Sequence, residues 1–186
     1  TYMIVFIIIL VIVLLIAIWL IGSYNSFVRQ KNSVEEAFST MDVYLKKRFD
    51  MIPNLVETVK GYASHEKDTL EKVVNARNAT QSATTPAERL ENENVLTGAL
   101  RSIFALSESY PDLKANQNFL ELQTEIQAVE EDIASSRKYY NAVVKQFNNS
   151  VMSFPSNIIA NMFHFEKQPM FEVADAAERE NVKVQF

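Results

Sequence analysis

The sequence predicts an all-α protein: an N-terminal single-span transmembrane helix, then an antiparallel four-helix bundle, then a short C-terminal helix and tail. Three observations predict it. Residues 2–21, YMIVFIIILVIVLLIAIWLI, are twenty consecutive apolar residues without a charge. From Phe119 onward, apolar residues recur in steps of three and four, where a strand would need steps of two. The 186 residues include only 3 Gly and 5 Pro, well under ordinary usage and too few breakers for a turn-rich β fold. The expected divisions are an anchor over 1–22, a bundle over 23–153, and an apolar short helix with an extended tail over 154–186.

As a helix the apolar run spans roughly 30 Å, the thickness of a bilayer core. Sixteen of its twenty residues are Ile, Leu, Val or Phe, so insertion gains at most about 5–10 kcal/mol. A cleaved signal peptide would have a shorter apolar region, about 7–15 residues, and a small-x-small cleavage site. Ile21-Gly22-Ser23 is a poor site of that kind. Ile4, Phe6, Leu10 and Leu14 lie within the anchor, while Tyr2 and Trp19 sit near its two ends, where amphipathic aromatics prefer to lie. Arg29 and Lys31 follow the span, and the positive-inside rule then places the bulk of the chain in the cytoplasm.

The clearest stripe is Phe119, Leu122, Ile126, Val129, Ile133, Ser136, Tyr140, Val143 and Phe147, with eight of nine positions apolar. It is a heptad seam, readable as core or as an intermolecular coiled coil. Matching stripes elsewhere favour core. Phe27, Val34, Phe38, Met41 and Leu45 form one; Ile52, Val56, Val59, Ala63, Leu70 and Val73 another, interrupted by Glu66; Leu96, Leu100, Ile103 and Tyr110 a third. Pro53, with Asp50 just before it, is read as the start of a new helix, though a kink in one long helix is the alternative. Thr85-Pro86-Ala87-Glu88 is a capping box. Tyr110-Pro111-Asp112 breaks the chain again, and Asn116 or Asn118 can cap the last long helix. The expected spans are 23–50, 52–82, 86–109 and 116–152, with short connections that make successive helices antiparallel.

That topology returns the last helix to the membrane. The segment after it is apolar for a stretch outside the core, through Phe154, Ile158, Ile159, Met162, Phe163 and Phe165. It reads as a lid on the bundle, a contact with a second copy, or a helix lying on lipid. Residues 166–186 show no clear period and read as an extended, partly mobile tail.

Chemistry-bearing residues are scarce. Two His and no Cys exclude thiolate zinc sites, disulfides and cysteine nucleophiles. His65-Glu66 lacks a second His four residues on, so the zinc-protease helix pattern is absent. Gly22, Gly61 and Gly98 are too scattered for a phosphate loop. No catalytic, cofactor or metal residues are assigned. With 18 Lys+Arg against 23 Asp+Glu, no basic excess points to nucleic acid. Glu66, on an apolar stripe, would need Arg101, Arg137 or Arg77 if buried. With Ser136 it is read as a polar layer fixing helix register. Lys46, Lys47 and Arg48, with Asp50, Pro53 and Asn54, are read as a patch for a protein partner at a membrane-distal turn. The plainer reading is cations favoured at a helix C-terminus.

The words around these positions carry a resemblance. Tyr24-Asn25-Ser26-Phe27-Val28 follows the anchor. Then come Val34-Glu35-Glu36-Ala37-Phe38 and the run from Asp42 to Val56, which contains the specific stretch Arg48 to Val56. Tyr62-Ala63-Ser64-His65-Glu66, Tyr110-Pro111-Asp112-Leu113-Lys114-Ala115-Asn116 and Tyr140-Asn141 complete it. Over nearly the whole chain this resembles the bacterial LemA family; the one departure noted is Phe49, where His is expected. The resemblance implies an N-terminally anchored membrane protein with a four-helix bundle and no active site to carry over. Its relatives in magnetosome membranes suggest membrane organisation by analogy only. Separately, the Tyr24-Asn25 word recurs at Tyr140-Asn141 and, more loosely, at Phe147-Asn148. The expectation is that these copies lie together at the membrane-proximal end of the first and last long helices.

The functional expectation is therefore a non-catalytic scaffold or adaptor in the bacterial membrane, in contact with lipid, with an unidentified protein partner and with copies of itself. Two other classes stay open: an accessory subunit of a membrane protease or stress-response complex, and a lipid-organising protein.

Overall fold

A computed structural model describes residues 2–172 of the chain. Six helices occur among them and no strand: α1 Tyr2–Lys60, α2 Lys67–Ser82, α3 Pro86–Ser107, α4 Pro111–Lys114, α5 Gln117–Met152 and α6 Ser156–Met162. The protein is all-helical, with a long apolar N-terminal helix and a bundle, as the patterning predicts.

The turn expected at Asp50–Pro53 does not exist; α1 runs through Pro53 to Lys60. An internal proline removes the amide that would bond the carbonyl four residues earlier, here that of Phe49. Arg77 of α2 satisfies this carbonyl instead, donating its Nε–H at 3.0 Å. The Arg77 guanidinium also lies 3.7 Å from the centre of the Phe49 ring. Pro53 itself is exposed on the outer side of α1. The break falls at Gly61–Glu66, where the amides of Tyr62 and Ala63 both close onto the Val59 carbonyl at 3.1 and 2.8 Å.

The contacts divide the chain into two compact units, to both of which α1 and α5 contribute. One comprises residues 39–138 with the strap from Pro169. Its four long helical stretches come from α1, α2, α3 and α5. Phe49 meets Arg77 and Ala79 meets Asn92, so α1/α2 and α2/α3 are antiparallel. Thr58 meets Asn118 and Arg48 meets Glu130, which makes α1 and α5 antiparallel as well. Ile52, Leu55, Val59, Leu70, Val73, Leu96, Leu100, Ile103, Phe119 and Ile126 close the core. The expected caps form. The Thr85 hydroxyl accepts from the Glu88 amide at 3.2 Å, and Asn116 Oδ1 accepts from the Phe119 amide at 3.0 Å.

The other unit comprises the chain up to Phe38 and residues 139–168. Here α1 and α5 pack antiparallel through Phe27 and Phe147, with ring centres 6.1 Å apart, and through Phe38 and Tyr140 at 6.0 Å. Buried positions on α5 run Tyr140, Val144, Phe147 rather than through Val143. An α-helix has 3.6 residues per turn and drifts off a strict seven-residue repeat, so a step of four replaces a step of three. After α6, His164 adopts φ 57° and the Phe165 amide bonds back to the Ala160 carbonyl at 2.9 Å. This left-handed stop turns Phe165 inward to stack on Phe27 at 4.9 Å.

The tail expected from residue 166 is held down as far as it is described. The Asn148 side chain clamps the backbone of Gln168, accepting from its amide at 2.8 Å and donating to its carbonyl at 2.9 Å. Phe171 is buried beneath the Arg137 guanidinium, 5.8 Å from its ring centre. Residues 173–186 of the expected tail lie outside the described residues.

Candidate functional site

The polar centre of the 39–138 unit is built around Arg48. Once α1 continues through Pro53, its inward positions run Met41, Leu45, Arg48, Ile52, Leu55, Val59, so Arg48 occupies a core position. It is fully buried. Its guanidinium donates to Glu93 Oε2 at 2.5 Å, the Glu93 carbonyl at 3.2 Å, Glu130 Oε1 at 2.7 Å and Thr97 Oγ1 at 2.7 Å. Glu93 is equally buried and occupies an inward position of α3 between Leu90 and Leu96. Its other oxygen accepts from Arg89 Nε at 3.1 Å, and Arg89 reaches Asp42 Oδ1 at 2.7 Å. The result is an alternating row, Asp42–Arg89–Glu93–Arg48–Glu130, crossing α1, α3 and α5. Among the described residues, Arg48 Nε is buried without a hydrogen-bond partner.

Buried pairs of this kind add little net stability, because desolvation offsets the attraction between the charges. They do penalise misalignment: a slip of α1 against α3 would strand a charge in an apolar core. Such a row penalises slips in helix register, the role expected of Glu66 and Ser136, which lie outside it. Glu66 lies in the break before α2, half-buried, and accepts from the Tyr110 hydroxyl at 2.9 Å. That hydrogen bond, which favours the protonated phenol, raises the Tyr110 pKa above the usual tyrosine value. Ser136 is half-buried on α5.

The partner patch needs the same correction. There is no turn at its position, and Arg48 belongs to the core. Lys46, Lys47, Asp50, Pro53 and Asn54 are exposed along the outer side of α1, with Lys46 paired to Asp50 at 3.2 Å. Sequence reasoning missed the buried position of Arg48 because a helix boundary placed at Asp50 hides the spacing Leu45, Arg48, Ile52, and it missed Glu93, whose spacing Leu90, Glu93, Leu96, Leu100 was not read as a stripe.

The second region is the aromatic end of the other unit. Tyr24 packs on Phe163 at 4.7 Å and on Phe165 at 5.9 Å. Phe154, Ile158, Met162 and Phe163 are exposed, whereas Ile159 is fully buried and Phe165 half-buried. Ile159 and Phe165 are therefore packing residues rather than contact residues. The expected pairing of Tyr24-Asn25 with Tyr140-Asn141 is overturned by the antiparallel register. Tyr140 is buried beside Phe38, fourteen residues and about 21 Å along the helix from Tyr24. Burial raises the Tyr140 pKa above its ordinary value. The looser copy, Phe147-Asn148, is the one that lies near this end, and its Asn148 is the clamp on Gln168. Residues Tyr2 to Ile21 of α1, with the anchor positions Ile4, Phe6, Leu10, Leu14 and Trp19, are exposed along nearly their whole length. An apolar helical surface of that length is consistent with membrane anchoring.

Among the described residues no group of three or more His, Asp or Glu is placed to hold a metal ion. The buried charges are instead spent on one another.

Comparison with known proteins by sequence finds relatives over most of the chain. The LemA family model matches residues 37–186. Protein LemA of Metamycoplasma hominis is 30% identical over 168 residues, covering 88% of this chain and 74% of that protein. Magnetosome protein MamQ 2 of Paramagnetospirillum magneticum is 22% identical over 185 residues, covering 86% of this chain and 68% of that protein. Magnetosome protein MamQ of Magnetospirillum gryphiswaldense is 21% identical with the same coverage. Neither LemA nor MamQ is the name of an enzyme. With an apolar N-terminal helix continuing into a helical bundle, and a family match over most of its length, the chain belongs to the LemA family.

Proposed function

We propose that this protein is a non-catalytic, single-pass membrane scaffold that holds protein partners at the bacterial membrane and assembles with copies of itself. The observation that carries this reading is that one uninterrupted helix, α1, bears both the apolar run and the inward face of the bundle. The bundle's convergent charges support the same reading. Arg48, Glu93, Arg89, Asp42 and Glu130 pair with one another, so they are occupied in holding helices rather than placed to act on a substrate. Arg29 and Lys31, just past the apolar run, favour a cytoplasmic bulk domain.

The test is cross-linking of the tagged full chain in native membranes, followed by mass measurement. Stoichiometric protein neighbours or self-adducts are expected. A species of monomer mass with no protein adduct would overturn the scaffold reading. A membrane protease recovered in fixed ratio would assign the chain instead as its accessory subunit. Protease accessibility of a C-terminal tag in intact and opened cells checks the side: protection in intact cells is expected.

A further inference from the structure

The end of the unit formed by the chain up to Phe38 and residues 139–168 carries an apolar surface that its own core does not use. Phe154 is 80% exposed, Met162 56% and Phe163 48%. Ile158 and Met152 add to the same stretch. These are large side chains on a short helix and its flanks, held in place from inside by Ile159, Ala160 and Phe165.

What covers this surface is indicated by its height on α1. Phe163 packs against Tyr24, which stands three residues past the last residue of the apolar run, about 4.5 Å along the axis. If α1 spans a bilayer, α6 lies where the hydrocarbon gives way to headgroups. The distribution of charge points the same way. Residues 2–28 contain no Asp, Glu, Lys or Arg, and neither do residues 146–165. The charges flanking these stretches are Arg29 and Lys31 on α1, Lys145 on α5, and Glu166 and Lys167 just after the foot, all exposed. The antiparallel pairs Gln30–Ser150 and Phe38–Tyr140 bring Lys145 within about a turn of Lys31 in height. Arg29, Lys31 and Lys145 thus rim a level below which the unit bears no Asp, Glu, Lys or Arg apart from Glu166 and Lys167, with His164 the one imidazole there. Between rim and foot runs a shallow groove of about 400 Å³, with Lys145, Gln146, Asn149, Ser150, Ser153 and Ser156 along it.

We propose that Met152–Phe165 is a monotopic foot lying in the headgroup–acyl boundary of the bilayer that α1 crosses, with anionic phospholipid as its occupant. Phe154, Ile158, Met162 and Phe163 enter the acyl boundary, and Arg29, Lys31 and Lys145 meet lipid phosphates. This rests on the reading of α1 as a membrane span. A second copy would also bury the apolar side chains, but it would not require the charge-free level to coincide on α1 and α5 at the end of the apolar run.

Trp19 is the sole tryptophan, so quenching by lipids brominated at shallow or deep acyl positions separates the two readings. The full chain is reconstituted into zwitterionic vesicles and into vesicles containing phosphatidylglycerol. Quenching of Trp19 in the unaltered chain tests the span; its absence refutes the anchor reading itself. In a Trp19→Phe background, Phe154→Trp and separately Phe163→Trp report on the foot. Phe154→Trp is the safer variant because that side chain is mostly outside the fold. Both indoles are expected to be quenched, more by shallow than by deep bromine, and to shift their emission to shorter wavelength. Indoles that stay unquenched while Trp19 is quenched would overturn the foot. Cross-links between copies through these positions, with no quenching, would replace lipid by a second copy. Neutralising the rim, with Arg29→Gln, Lys31→Gln and Lys145→Gln together, should reduce foot quenching in the phosphatidylglycerol vesicles. No change there would overturn the anionic-lipid assignment.

Discussion

Replacing Arg77 with methionine tests how α1 passes through Pro53. The structure assigns two contacts to this side chain: a charged hydrogen bond from Nε to the Phe49 carbonyl at 3.0 Å, and a guanidinium face 3.7 Å from the Phe49 ring centre. A hydrogen bond from a charged donor is worth about 1.5–3 kcal/mol, and a half-buried cation–π contact about 1 kcal/mol. Arg77→Met keeps most of the aliphatic stem, so the expected loss is about 2–3 kcal/mol. The informative measurement is the cycle with Pro53→Ala. Alanine restores an amide that can bond the Phe49 carbonyl within the helix, so the carbonyl no longer depends on Arg77. Arg77→Met should then cost about 1–2 kcal/mol less in the Pro53→Ala background than in the unaltered chain. Thermal and urea unfolding of the four proteins in detergent, followed by circular dichroism, supplies the numbers. Additive effects, within about 0.5 kcal/mol, would refute the argument that Arg77 replaces the missing helical bond.

Arg48→Met leaves Glu93 buried with only Arg89 beside it, and should destabilise the chain by about 3–5 kcal/mol. Arg48→Met with Glu93→Leu should recover most of that loss, as read by the same unfolding curves. Tyr140 stays protonated in the folded chain at pH values where the unfolded chain ionises, because burial raises its pKa. Stability is therefore full below about pH 10 and falls as pH rises through the raised value. That alkaline loss should be smaller in Tyr140→Phe, measured as Tm against pH. His164 holds φ 57°, a conformation that costs a residue with a Cβ roughly 1 kcal/mol. His164→Gly should stabilise the chain by about 0.5–1 kcal/mol, visible as a higher Tm.

The helices were legible where local signals stand alone. Thr85 and Asn116 cap α3 and α5 as their sequence context predicts, and the stripe from Phe119 to Ile133 is buried throughout. These are nearest-neighbour effects: a hydroxyl or amide within reach of an unpaired backbone N–H, and a spacing that places apolar groups on one face. The region around Pro53 was not legible in the same way. Proline predicts a boundary because it leaves a carbonyl unpaired, and the group that pairs it lies 28 residues away on another helix. The misplaced boundary then hid Arg48. Three neighbouring cations look like a solvated helix end until the helix is known to continue, and only then does the middle position of Leu45, Arg48, Ile52 face inward.

The sequence by itself determined the materials: a bilayer-length apolar helix, stripes enough for a bundle, and no cysteine or histidine cluster around which to build a metal centre. Those follow from composition and period, which every residue carries with it into any fold. Only the tertiary structure decided which charges are buried and which apolar residues are left outside. Glu93 meets Arg48, and Phe163 rather than Ile159 faces outward, because of the register between helices far apart in the chain. The first register is set by pairing across α1, α3 and α5, the second by the packing of α6 and Phe165 on Tyr24 and Phe27, and no local stretch of sequence contains either.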